Sequence, residues 1–376
     1  DCLTRGMSSS LHSAEEFTSR LALVRARMAD KNIDTVLLSV GHDLPYLTGY
    51  TAMPLERLTM LAVHSSGVPL LFVPRLEAPR VDEMPGVFEL VPWDETVEPL
   101  DLVAQDCSGS STIAVGDQTW ARFIVGLTHR LPGVRWERAV EVVGDLRMRK
   151  SEIEIAALRA AARAVDEIAG ELQSGAIPLI GRTEAEVSAD LSQRILDRGH
   201  QKVNFAIVAA GENAASPHHH PGDRVIQPGE VVLCDFGGTM NGYCSDITRC
   251  VVTGDIPSDV AAAYGVLMKA QAAGVAAGIN GVPCEEVDAV TRQIIADAGY
   301  GEYFVHRTGH GIGMEEHEDP YMVSGDRRVV ETGFAYSVEP GIYIPGKWGL
   351  RLEDIVVATD DGPVSLNEAD HNLHAV

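Results

Sequence analysis

Positive charge is scarce in this sequence. Lys and Arg number 30 against 54 Asp and Glu, a formal net charge of −24 at pH 7. A surplus of that size repels phosphate backbones and anionic headgroups, which argues against a nucleic-acid or membrane-surface partner. Long apolar runs are also missing: none approaches the roughly 18–20 residues of a bilayer span. The nearest, residues 260–281, is rich in Ala and Gly, carries Lys269 and Gln271, and reads as a packed helix of a soluble domain. Residues 1–10 hold no apolar core, so no secretory signal is expected, and Met7 reads as the natural start. The six cysteines (Cys2, Cys107, Cys234, Cys244, Cys250, Cys284) form no C-x-x-C pair, which removes a zinc knuckle and a disulfide scaffold and makes the cytoplasm the expected compartment. What remains is ordinary for a globular chain, 45% hydrophobic and 22% charged residues. Its 376 residues suit two domains at roughly 100–200 residues each.

Residues 13–146 alternate helical and strand-like segments. An amphipathic stretch over 15–29 carries Phe17, Leu21, Val24 and Met28 at helical spacing, and β-rich runs follow at 35–39, 58–63, 69–73 and 112–115. Helical candidates lie near 95–105 and 119–130, so this half reads as an α/β domain serving as scaffold. A boundary is expected near residues 147–150. Ser151 with Glu154 and Thr183 with Glu186 form capping boxes that open two helices. Strands are then expected at 203–209, 231–237 and 243–252, helices at 258–277 and 283–298, and strands again at 334–339 and 350–358. Two helices then strands, twice over, is a weak internal duplication within residues 147–376, the half that carries the chemistry.

Asp235 ends the apolar run Val231-Val-Leu-Cys234, where a carboxylate is costly unless a cation or hydrogen bonds compensate it. Asp246 follows eleven residues later, beyond Asn241-Gly242, a gap that suits a hairpin returning it beside Asp235. Two adjacent carboxylates repel each other, and a divalent cation between them resolves the conflict. Glu339 and Glu353 stand at the ends of two further β-rich runs, and His310 lies in Thr308-Gly-His-Gly-Ile-Gly313. Four carboxylates with one imidazole make a hard, oxygen-rich donor set, suited to two Mn²⁺-like ions rather than structural zinc.

Taken in order, Asp235, Asp246, His310, Glu339 and Glu353 resemble the ligand set of the pita-bread metallopeptidase family (peptidase M24), which includes prolidase, aminopeptidase P and methionine aminopeptidase. The strings carrying the resemblance are Cys234-Asp-Phe-Gly-Gly238, Cys244-Ser-Asp-Ile-Thr-Arg249, His306-Arg-Thr-Gly-His-Gly-Ile-Gly313, Val338-Glu-Pro-Gly-Ile-Tyr343 and Arg351-Leu-Glu-Asp354. The resemblance implies an α+β chain: a smaller α/β creatinase-type N-terminal domain over 13–146 and a catalytic pita-bread (creatinase/aminopeptidase-like) domain over 147–376. It implies two divalent ions, Mn²⁺ first, with Co²⁺ or Zn²⁺ as alternatives. Asp235 would chelate one, His310 and Glu339 the other, and Asp246 and Glu353 both; Glu339 would also act as general base toward a bridging water. Pro217-His218 and His317 match two histidines of the proline-specific branch, and Arg351 would orient a ligand carboxylate through a bidentate pair. The implied reaction is hydrolysis of the Xaa-Pro bond of dipeptides by a metal-bridged hydroxide, in a homodimer. Aminopeptidase P activity on longer peptides is the alternative, and a creatinase-type C–N hydrolase a more distant one. Tyr321 stands where some members carry Arg, leaving the group that binds the substrate carboxylate open.

Several neighbours have plainer readings. His219 and His220 are divided between pocket wall and surface, and His306 reads as a packed, hydrogen-bonded residue. Glu315, Glu316, Glu318 and Asp319 read as a solvated loop. Tyr343 and Trp348 are open between the core and a proline pocket, and Cys234 and Cys244 are given no role.

Overall fold

The computed structural model describes residues 11–376, so the readings of the first ten residues, with Met7 and Cys2, lie outside it. The chain divides into two compact units, the first ending at Arg147 and the second beginning at Met148.

In chain order the first unit holds α1 (Ala14–Lys31), β1 (Thr35–Leu38), α2 (Asp43–Thr48), β2 (Met60–His64), β3 (Leu70–Pro74), β4 (Glu89–Trp93), α3 (Pro99–Asp106), β5 (Thr112–Val115), α4 (Ala121–Arg130) and β6 (Arg135–Arg138). A short helix, α5 (Gly144–Met148), follows. The sheet order is β4-β3-β2-β1-β5-β6, antiparallel through β1, β2 and β3 and parallel at both flanks. Leu37, Met60, Phe72, Ile113, Phe123 and Leu127 pack together as one core, the apolar side chains of the strands meeting those of α3 and α4. Strands β4 and β6 were not foreseen from the sequence. They are the two edge strands, and their half-polar residues carry little apolar periodicity.

The second unit opens with α6 (Glu152–Gln173) and α7 (Glu184–Asp197), each begun by the expected capping box. Then come β7 (Lys202–Ala210), β8 (Val231–Met240), β9 (Tyr243–Cys244) and β10 (Ile247–Val252). Helices α8 (Ser258–Ala277) and α9 (Cys284–Asp297) precede β11 (Gly309–Gly311), β12 (Glu318–Met322), β13 (Ala335–Val338), β14 (Gly341–Ile344), β15 (Trp348–Arg351), β16 (Asp354–Thr359), β17 (Gly362–Ser365) and β18 (His374–Ala375). One sheet runs β18-β10-β8-β7, the other β12-β11-β13-β16-β17, and β14 and β15 form a separate hairpin. The run read as a single strand over 350–358 is broken at Leu352-Glu353, where the chain leaves β15 for β16, so Glu353 sits between strands.

Helix α8 is long and apolar enough to cross a membrane by length and composition, against the reading that no run is, yet it packs as expected of residues 260–281. Its Val260, Ala263, Tyr264, Leu267 and Ala270 pack against Leu233, Cys250, Ile342 and Leu350. The two halves of the unit are tied by Arg249, which is fully buried. Its guanidinium donates to the backbone carbonyls of Thr248 (3.0 Å), Glu353 (2.7 Å), Ala369 (3.0 Å) and Asp370 (3.0 Å), and pairs with buried Asp354 at 2.8 Å. Asp354 also accepts from Gln271 (3.1 Å) and His371 (2.7 Å), so the buried charges are compensated on every side.

Candidate active site

The hairpin β8–β10 places the first two carboxylates. Asn241 and Gly242, at φ 52° and 83°, make the tight reversal. The register sets Asp235 opposite Thr248 on β10 and Ile207 on β7. Asp246 lies just before β10, where the backbone crowds against Gly237: a Cβ there would sit 2.0 Å from the Ser245 carbonyl oxygen.

His310 comes from the centre of β11, its backbone N–H donating to Ser337 Oγ at 3.1 Å. Its Nδ1 lies 3.1 Å from the Gly311 carbonyl, which fixes the proton there. That leaves Nε2 to meet the carboxylates, 3.2 Å from Glu339 Oε1 and 3.8 Å from Asp246 Oδ2. Glu339 follows β13, held by its N–H to the Thr308 carbonyl (2.8 Å) and by Ser337 Oγ donating to Oε1 (3.1 Å). Glu353 accepts from Thr248 Oγ1 at 2.6 Å. Arg351, at the end of β15, donates to Asp235 Oδ2 (2.6 Å), Tyr343 Oη (2.8 Å), Thr248 Oγ1 (3.2 Å) and the Pro217 carbonyl (3.4 Å). The bidentate pair expected of Arg351 is therefore a single contact, because its other nitrogens are drawn to Tyr343 and Thr248.

Asp235, Asp246, His310 and Glu353 are buried. Burial, followed by the charges of Glu353, Asp235 and Glu339, pushes the Asp246 carboxyl well above the usual range. Glu353 is pushed well above it too, by burial and then by Glu339 and Asp235. Asp235 is raised as well, again mainly by burial. One oxygen of Asp235 and one of Asp246, both Oδ1, are buried without a hydrogen-bond partner. Ligand atoms of Asp246, His310 and Glu353 lie within 4.8 Å of one another. Orphaned carboxylate oxygens, mutual repulsion and an imidazole nitrogen facing them make a donor set that fits hard divalent cations.

All eight residues singled out in the sequence line one cavity of about 470 Å³: His218, Asp235, Asp246, His310, His317, Glu339, Arg351 and Glu353. The ring of His317 lies over that of His310, centroids 3.8 Å apart, and its Nδ1 is 3.2 Å from Arg307 Nη2. A guanidinium can only donate, so Nδ1 accepts and Nε2 carries the proton. Burial and the neighbouring His310 hold the His317 pKa down to about 4, so the ring is a neutral donor at physiological pH. Phe205, Ile207 and Pro217 supply an apolar wall.

Among the neighbours, His219 and the acidic run differ from their plain readings. His219 is neither wall nor free surface: its Nε2 lies 2.7 Å from buried Glu184. His306 is hydrogen-bonded as read, its Nε2 2.8 Å from Tyr343 Oη, and it also lines the cavity, while Tyr343 is buried outside the cavity lining, the core alternative of its two readings. The acidic run is not uniformly solvated. Glu318 is buried against Lys150 at 2.6 Å, Asp319 pairs with Arg328 at 2.9 Å, and Glu316 reaches the cavity wall. Thr248, which holds both Glu353 and Arg351, was missed, although its place two residues after Asp246 on a strand would have set it on the same face.

Two family models match the chain: Creatinase/Prolidase N-terminal domain over residues 20–149 and Metallopeptidase family M24 over 153–360. The probable dipeptidase PepE of Mycobacterium tuberculosis is 42% identical over 375 residues, 98% of this chain and 99% of the relative. Among solved structures, dipeptidase PepE from Mycobacterium ulcerans is 40% identical with a TM-score of 0.90, covering 97% of this chain and 99% of the other. Recombinant prolidase from Thermococcus sibiricus is 34% identical, also at 0.90, covering 96% and 99%.

Proposed function

Because this chain belongs to metallopeptidase family M24 and is a peptidase of the dipeptidase and prolidase kind, we propose that its substrate is an Xaa-Pro dipeptide and that it works with two Mn²⁺ ions. The observation that carries the reading is the single cavity joining five candidate ligands to His218, His317 and an apolar wall. Asp235, Asp246, His310, Glu339 and Glu353 would hold the ions, which when bound supply Lewis-acid polarisation of the scissile carbonyl and an acidified water.

The chain's own residues supply the rest. Arg351 and Thr248 fix Asp235 and Glu353 in place, so the ligand carboxylates are oriented before substrate arrives. Glu339 is the proton acceptor of the site, its Oε1 held by Ser337 and facing His310. His317, protonated on Nε2, donates toward the oxygen on which negative charge develops, and His218 closes the cavity beside it. Phe205, Ile207 and Pro217 offer a pyrrolidine ring an apolar surface, and a proline nitrogen without a hydrogen asks for no acceptor there. The reading includes a catalytic domain over 147–376 and a cytoplasmic homodimer.

The test is proline release from Ala-Pro and alanine release from Ala-Pro-Ala by Mn²⁺-supplied protein, with Ala-Leu as the control. Cleavage of Ala-Pro well above Ala-Leu and Ala-Pro-Ala is expected. Preference for Ala-Pro-Ala would favour the aminopeptidase P alternative, and preference for Ala-Leu would overturn the proline assignment.

A further inference from the structure

We propose that Arg307 binds the free C-terminal carboxylate of the substrate and thereby restricts the cavity to dipeptides. This rests on the dipeptidase reading above and names the group that would enforce it.

A dipeptide differs from a longer peptide at the same bond by a carboxylate about one residue, ~3.8 Å, beyond the scissile link. Accepting that charge into a cavity floored by four carboxylates requires a cation close to, but not part of, the ligand cluster. Two guanidiniums line the cavity, and they are in different states of engagement. Arg351 is buried and committed, with all three of its nitrogens bonded to Asp235, Tyr343, Thr248 and the Pro217 carbonyl. Four of its five N–H groups are taken, and the fifth belongs to the Nη2 that already holds Asp235 within the ligand cluster.

Arg307 is half-buried and makes no ion pair with any described carboxylate. Among the described residues its one side-chain hydrogen bond goes to a neutral acceptor, His317 Nδ1, at 3.2 Å. Its guanidinium lies over the ring of Tyr321, Cζ 4.2 Å from the centroid. Stacking and a single hydrogen bond fix the plane of the group and leave most of its five N–H donors unused. A planar, held, uncompensated fork is the arrangement that takes a carboxylate in two parallel hydrogen bonds.

Its position fits as well. The His317 ring that Arg307 touches lies 3.8 Å from the ring of His310, so one imidazole separates the guanidinium from a candidate metal ligand. The guanidinium thus stands beside the ligand cluster on the cavity wall and not within it, as a carboxylate one residue beyond the scissile link requires. Glu316, the wall residue of opposite charge, lies 4.0 Å from Lys202 Nζ, which offsets part of its repulsion.

The experiment compares kcat and KM for a dipeptide, its C-terminal amide and the corresponding tripeptide, using Mn²⁺-supplied full-length protein. Ala-Pro and Ala-Leu series are run in parallel. The wild-type chain should prefer the free acid to the amide by about tenfold or more, the scale of a charge-assisted hydrogen bond. Arg307→Gln should raise KM for the acid by about tenfold while KM for the amide moves less than threefold, so the preference collapses. Arg307→Lys should keep part of it.

Equal loss on acid and amide would mean that Arg307 acts only by supporting His317 and Tyr321, and would overturn the inference. So would a wild-type enzyme that takes the amide as readily as the acid. If the acid preference and its loss appear with Ala-Leu instead of Ala-Pro, the inference stands while the proline assignment fails.

Discussion

Replacing Asp246 by Asn lowers peptide hydrolysis by about a thousandfold or more in metal-supplied protein, and at the same time stabilises the protein stripped of metal. The loss follows from the position of Asp246, which shares a cluster with His310 and Glu353 and presents a buried oxygen with no other partner. An amide there offers neutral donor and acceptor atoms where a hard cation needs charge. The gain follows from the same burial. Ionised Asp246 faces Glu353, Asp235 and Glu339, and burial plus these charges raises its pKa well above normal. Folding with that carboxylate charged is therefore unfavourable, and the neutral amide relieves it by about 2 kcal/mol. Initial rates, together with denaturant unfolding of chelator-treated wild type and variant, measure both halves. A variant that is equally active, or that is less stable than wild type when stripped of metal, would contradict this account of the cluster.

The second large effect is that the stabilisation conferred by Mn²⁺ grows with pH. Asp246 and Glu353 have folded-state pKa values above their unfolded ones. Between those values the folded chain binds more protons than the unfolded chain, so its stability falls as pH rises, by up to about 1.4 kcal/mol per pH unit for each such group. Glu339 does not enter this window. Burial raises it, but its contacts with His310 more than offset that and bring it down to about 2.

The histidines act in the opposite sense at lower pH. Burial depresses the pKa values of His200, His306 and His317, so their contribution rises with pH until the unfolded rings have deprotonated near ~6.5. Comparing protein with and without Mn²⁺ at each pH largely removes their share. The shift in unfolding midpoint on adding Mn²⁺ should be smallest at pH 6 and largest at pH 8. A shift that is constant across that range would mean that the carboxylates are not competing with protons for the ion.

The ligands were legible in the sequence because each sits in a short string that announces its own local geometry. Asp235 ends an apolar run, Asp246 follows an Asn-Gly turn, and Glu339 precedes Pro-Gly. Arg351 came with the resemblance, but which ligand it holds, and the part of Thr248, were not legible, because they depend on strands distant in sequence. Arg351 reaches Asp235 across 116 positions, and Thr248 reaches Glu353 across 105. Arg307 was in plain view within His306-Arg-Thr-Gly-His310, yet its meaning depends on Tyr321 and His317, which β12 and the loop before it bring alongside. In the first unit the central strands announced themselves by apolar content while the edge strands β4 and β6 did not. The break at Leu352-Glu353 was hidden because apolar residues continue on both sides of it.

The central claim is that Asp235, Asp246, His310, Glu339 and Glu353 form one dinuclear peptidase site. It is tested most directly by titrating Mn²⁺ into chelator-stripped protein while following bound metal and proline release from Ala-Pro in the same samples. The account predicts two ions bound per chain, with activity absent at the start and rising as they bind. Binding of fewer than two ions at full activity, or proline release that survives complete stripping, would contradict it.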